Sequence, residues 1–260
     1  MSSSEKALPG HEPRRDDRQR AGDLLARLTG SDEQLSRSER ASAVASLAGA
    51  LSASAKAAGT AAVVTGRWLA DTLVDVAPRL PLRDAETLRA HHPGRSREEI
   101  ADALVSGAAK ATTAVGAVGG AATAATLATA GRRTLFSLPV QIAAETLAVA
   151  AIEVKLIAEL HELYGVYVPG APAERAIAHV QAWSSRRGID VLDPGAVSAV
   201  LGEAAKRHLQ RRLLGRAGRN MSTLGPYLTG AVAGGVVNFR ETRKLGAQVH
   251  DDLRRIAGES

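Results

Sequence analysis

The 260-residue chain has no cysteine, so disulfides, zinc-thiolate centres, iron–sulfur clusters and thiol nucleophiles are excluded in one step. Aromatic residues make up only 3% of it, with two Trp, three Tyr and two Phe. An interior so short of rings must be built by close approach of small side chains, chiefly Ala, Gly, Ser and Thr. Runs that alternate β-branched and polar residues are missing, which leaves strands without support. The phosphate-loop and dinucleotide glycine patterns are missing too, as is the GxSxG nucleophile turn, and no motif nominates a reaction or a cofactor. The opening residues MSSSEKALPGHEPRRDDRQR hold no apolar run of the ~7–15 residues that a secretory signal requires, and the expected location is cytoplasmic.

What is present is helix punctuation. Residues 1–20 are mixed in charge, carry Pro9, Gly10 and Pro13, and read as a disordered tail, with a first helix starting near Asp16 and running through Leu28. Ser31 with Gln34 matches a capping box opening a helix through Ala41 to Ala55, and a further helix covers Thr60 to Val76. Pro78 and Pro81 interrupt the pattern, Asp84 opens a short helix to about His91, and Ser96 with Glu99 caps a long one from Arg97 to Ala130. Pro139 and Gly165 suit the first turn and the C-terminal cap of the next, Pro172 and Gly188 bracket a helix containing Trp183, Asp193 and Pro194 start another, and Gly225 to about Ala257 reads as a small-residue apolar helix followed by a polar amphipathic one. The expected fold is all-α, a single bundle of about eight or nine helices with close Ala/Gly packing. Residues 21–55 form an N-terminal helical extension and 56–258 the main helical domain.

The run Pro139–Gly165, PVQIAAETLAVAAIEVKLIAELHELYG, is the most informative one. A helix apolar nearly all round must be buried, and the charged groups Glu145, Glu153, Lys155, Glu159 and His161 within it then need partners. Lys155, Glu159, Glu162 and Glu145 fall within about a third of the helix circumference, a solvated or paired face. Glu153 lies about a quarter turn away among Val149, Ala150, Leu156 and Ile157, where Arg132, Arg133 or Arg175 is the expected cation. The alternative use of Glu153 is as a proton-handling or ligand-binding acid. His161 and Glu162 suggest a zinc-protease helix, but the second His it requires is replaced by Gly165, and no metal is expected. His91 with His92, and His250 with Asp251 and Asp252, read as solvated surface.

Neither long apolar stretch suits a bilayer. Ala111–Gly131 is free of charge, yet its nine Ala, five Thr and four Gly leave only Val115, Val118 and Leu127 to drive insertion. In the Pro139 helix, three carboxylates and a lysine would each cost on the order of 2.5–3.5 kcal/mol at the bilayer centre. Gly116 and Gly120, and again Gly230 and Gly234, are spaced for close helix packing, within a bundle or, as the alternative, in segments that insert partly into or rearrange at a bilayer.

Formal charge is +6, and it is local: from Ala204 to Arg240 there are seven Lys and Arg and no acid. Lys206, Arg207, Arg211, Arg212, Arg216 and Arg219 take about half of a helix surface, with Leu209, Leu213 and Leu214 opposite, which makes an amphipathic basic helix suited to anionic lipid. Nucleic acid is not expected, because the segment has no aromatic residue for base stacking and no recognised nucleic-acid motif.

On VQIAAETLAVAAIEVKLIAELHELYG, on AERAIAHVQAW from Ala173 to Trp183 and on GAVAGGVVNFRETRKLGAQVHDDLR from Gly230 to Arg254, the chain resembles the EcsC family of bacterial proteins. APRLPLRDAETL from Ala77 and the capped helix from Ser96 are similar as well, so the resemblance covers most of residues 55–257. It implies a helical protein, cytoplasmic or membrane-associated, with no assigned activity and a link to an ABC transporter. The leading expectation is thus a non-enzymatic helical protein held peripherally on the inner face of the membrane, with the Lys206–Arg219 helix as electrostatic contact and the adjoining Gly225–Phe239 segment as its apolar part. A soluble adapter, and a hydrolase or lipid-modifying enzyme centred on Glu153 and His161, are the alternatives.

Overall fold

The computed structural model describes residues 12–29, 36–58, 67–128, 137–187 and 225–258, and among these residues every regular element is a helix. Eight α-helices follow one another: α1 (Glu12–Thr29), α2 (Arg37–Ala58), α3 (Arg67–Val76), α4 (Ala85–Ala90), α5 (Arg97–Ala128), α6 (Ser137–Tyr164), α7 (Pro172–Arg186) and α8 (Gly225–Gly258). A 3-10 turn, Ala77–Arg79, extends α3.

Several boundaries sit where side chains cap them. The Asp84 carboxylate accepts from the Thr87 amide at 2.8 Å, starting α4. Ser96 and Glu99 close a reciprocal box at the start of α5, at 2.8 and 3.2 Å. Gly165 ends α6 at φ +67°, a left-handed value that L side chains rarely adopt. The structure shifts other expectations. α1 begins at Glu12, inside the stretch assigned to a tail. α2 begins at Arg37 and is capped by Ser36 and Glu39, and the Ser31/Gln34 pair falls outside the described residues. The final segment is one continuous helix of 34 residues. The helix expected from Asp193 falls outside the described residues.

One apolar core runs through all of this. Leu25 and Leu28 of α1, Leu47 and Leu51 of α2, Trp68 and Leu73 of α3, Ile100 and Leu104 of α5, Leu147, Ile157 and Leu160 of α6, Val180 and Trp183 of α7 and Val249 and Leu253 of α8 belong to a single buried cluster. The N-terminal helices are therefore part of the same core as the rest of the bundle. α6 is the axial element: from Ala150 to Leu160 every residue is buried, charged ones included. α5 and α8 pack antiparallel, with Thr113 beside Gly235 and Val105 beside Gly246. A Cβ on Gly235 would lie 3.2 Å from the Thr113 carbonyl oxygen, and one on Gly246 would lie 2.7 Å from both Val105 methyls. Gly116 and Gly120 are buried on α5 as the small-residue row requires. On α8, which includes Gly230 and Gly234, the described close approaches are at Gly235 and Gly246.

Candidate functional site

The polar residues of α6 gather in two buried clusters and one histidine pair. Glu153 is fully buried and both its oxygens are engaged. Oε2 accepts from the Trp183 indole at 2.8 Å and from Arg187 Nε at 3.1 Å; Oε1 accepts from the Thr242 hydroxyl at 2.6 Å and from Arg187 Nη2. Thr242 in turn meets the Thr112 hydroxyl at 2.9 Å, and the Asn238 amide donates to the Thr112 carbonyl at 3.2 Å. Arg187 reaches further, to Glu241 at 3.1 Å. One carboxylate thus ties α5, α6, α8 and the C-terminal end of α7 together. Isolated, that charge would be costly to bury; with a guanidinium fork, an indole and a hydroxyl around it, its acceptor sites are met.

Two turns along α6, Glu159 forms a bidentate pair with Arg83, Nε to Oε1 at 2.9 Å and Nη2 to Oε2 at 2.8 Å, and also accepts from the Arg83 backbone amide at 3.3 Å. Lys155 donates to the same Oε1 and to the Pro81 carbonyl. Burial pushes the Glu159 carboxyl up, but the Arg83 hydrogen bonds and the Lys155 and Arg83 charges outweigh it and hold the group below its ordinary value of 4.5. This cluster staples the loop between the 3-10 turn and α4 onto α6. The expected solvated or paired face is therefore a paired one: Lys155 is 6% and Glu159 2% exposed, and only Glu162 on that arc is open to solvent. Glu145, half-buried, lies against Gly119 of α5, where a Cβ would collide with its carboxylate.

At the C-terminal end of α6, His161 and His179 meet edge to face with ring centroids 5.1 Å apart, and His161 Nδ1 is 2.8 Å from the Ile157 carbonyl. Burial, with His161 and Arg175 nearby, lowers His179 to about 4. Burial also lowers His161, against the opposing hydrogen bond to Ile157. Both rings are thus neutral at pH 7. One turn on, Tyr164 packs against His250 at 5.6 Å, and the Arg97 guanidinium stands 5.2 Å from the Tyr164 ring centroid. His250 is not the solvated residue expected from its polar neighbours, because Val249 and Leu253 turn that side of α8 into the core. Its Nε2 and the Tyr164 hydroxyl are buried without a hydrogen-bond partner.

The cation facing Glu153 is Arg187, a residue the sequence did not single out. Arg175 lies near His179 instead, and Arg132 and Arg133 fall outside the described residues. Arg83, Thr242, Thr112 and Trp183 were also not foreseen as polar partners. Trp183 alone left a signal, since a buried indole N–H requires an acceptor. The Lys206, Arg207, Arg211, Arg212, Arg216 and Arg219 set lies outside the described residues. Among the described residues no group of three or more His, Asp or Glu could hold a metal, and no helix is long and apolar enough to cross a membrane.

These features define an all-α bundle organised around a helix whose buried charges are consumed by structural partners. Comparison with protein-family models, with curated proteins and with solved structures finds no match to the chain.

Proposed function

We propose that the protein is a non-enzymatic helical scaffold that associates peripherally with the inner face of the membrane, through anionic lipid, by way of the cationic sequence Lys206–Arg219. The observation that carries this reading is charge segregation: seven cations and no acid between Ala204 and Arg240 in a chain of net charge +6. That sequence lies in the chain between two described elements. On one side Arg187 is bound to Glu153 and Glu241, and on the other α8 begins at Gly225. Several cations reaching a negatively charged leaflet together would contribute about 1 kcal/mol each.

The enzymatic reading centred on Glu153 and His161 is disfavoured by the same geometry. A general acid or base needs a lone pair or proton facing the substrate, whereas Glu153 has four donors on its two oxygens.

Cosedimentation with vesicles of phosphatidylcholine alone, and with phosphatidylglycerol added, tests the proposal. Recovery should rise with anionic lipid and fall as salt is raised. Equal recovery on both, indifferent to salt, overturns it. Capture by native membranes but not by protein-free anionic vesicles would instead make the chain an adapter, with a transporter of the ABC class the partner that the EcsC resemblance suggests.

A further inference from the structure

We infer that the outward face of α8 is a second contact for anionic lipid, centred on Arg240, Arg243 and Lys244 and separate from the Lys206–Arg219 segment. All three side chains are exposed. With Val236 they fall on an arc of about 100° at the helix period. Arg240 neighbours Arg243 at i+3 and Lys244 at i+4, so like charges stack on adjacent turns, an arrangement unfavourable in isolation and relieved by an opposing anion. Glu241 points about a quarter turn away and is bound to Arg187. Further along, the charges balance: Arg255 and Arg186 pair with Asp252, and Asp251 shares the face of Arg254. Among the described residues no ion pair involves Arg240, Arg243 or Lys244, which follow one another within two turns of α8.

Lipid is favoured over nucleic acid by what lies beside the cations. Val236 is 44% exposed one turn before Arg240, and Phe239 lies under the Arg243 guanidinium, 5.8 Å from ring centroid to Cζ. Apolar side chains next to long cationic ones suit a headgroup boundary, where the former enter the acyl region and the latter stay among the phosphates.

The inference shares its partner class with the function proposed above, and the test separates the two. Full-length protein is cosedimented with the same two vesicle compositions as wild type, as Arg240→Gln/Arg243→Gln/Lys244→Gln, and as a variant with all six Lys206–Arg219 cations changed to Gln. The α8 variant changes exposed side chains only, and an unchanged thermal melt verifies that it folds. Each cation engaged at the headgroups is worth about five-fold in partitioning, so the α8 variant should bind anionic vesicles at least ten-fold more weakly than wild type. Wild-type binding by the α8 variant overturns this inference and leaves the function proposed above standing. Loss in the α8 variant with none in the six-site variant supports the inference and overturns the assignment to Lys206–Arg219. No wild-type binding to either vesicle, or tighter triad-dependent binding to duplex DNA, overturns the lipid assignment.

Discussion

At the scale of single residues, the buried carboxylates of α6 are where the free energy is concentrated. Glu153→Gln keeps the shape but removes the fully buried charge that meets the Arg187 guanidinium, itself only 19% exposed, and leaves it the exposed Glu241 alone. Breaking a buried pair from one side costs about 3–5 kcal/mol. Urea unfolding should show a loss of that size, with a smaller one, about 1–2 kcal/mol, for Thr242→Val, which removes one hydroxyl donor. A Glu153→Gln protein as stable as wild type would mean the network is not structural. Together with His161, which burial also lowers, His179 carries the pH dependence. Its folded-state value of about 4 lies below the ordinary 6.5, so the unfolded chain binds the proton more readily. Stability is then complete above pH 6.5, falls as pH drops from 6.5 towards 4, and levels off below that, a difference of at most about 3 kcal/mol. His179→Phe should flatten this slope in denaturant midpoints measured across that window. Glu159 adds a loss of its own in more acid solution, starting below 4.5, because its folded value is depressed.

At the scale of elements, glycines in helices separate by what surrounds them. Gly49 of α2 is exposed, and a Cβ added there would meet nothing within 4 Å, so Gly49→Ala should stabilise by about 0.5–1 kcal/mol through helix propensity alone. Gly246 of α8 would set its new methyl 2.7 Å from both methyls of Val105, a β-branched side chain with little rotamer freedom. There the steric cost, about 1–3 kcal/mol, exceeds the propensity gain, and Gly246→Ala should destabilise. Val105→Ala in the same chain should recover part of that loss, which a double-mutant cycle by thermal unfolding would measure. Equal effects at Gly49 and Gly246 would contradict the α5/α8 packing described above.

At the scale of the whole molecule, α1 and α2 contribute Leu25, Leu28, Leu47 and Leu51 to the same core as α6, each fully or almost fully buried. Burying a leucine is worth about 1.5–3 kcal/mol, so removal of residues 1–58 should abolish cooperative unfolding and expose core leucines, as read by calorimetry and by binding of a hydrophobic dye. A truncated chain melting like wild type would show that the core stands without α1 and α2.

Much of the fold was legible from the chain alone, because helix boundaries are written locally. Asp84, Ser96 with Glu99, Gly165 and Pro172 sit at helix ends for reasons that span at most four residues. The need of Glu153 for a cation was equally legible, since it follows from burial. Which cation answers it was not: Arg187 stands 34 residues away in sequence and Thr242 stands 89 away. The same holds for Arg83 and Glu159, 76 residues apart, and for His250, whose polar sequence neighbours conceal that its own side of α8 faces the core. Composition, capping and periodicity therefore determined that this is a helical protein with a charged helix at its centre and a strongly basic stretch near its end. Tertiary structure decided which buried charges meet and which cations stay outside, because pairing depends on how helices far apart in the chain are rotated against one another, and no local pattern encodes that rotation.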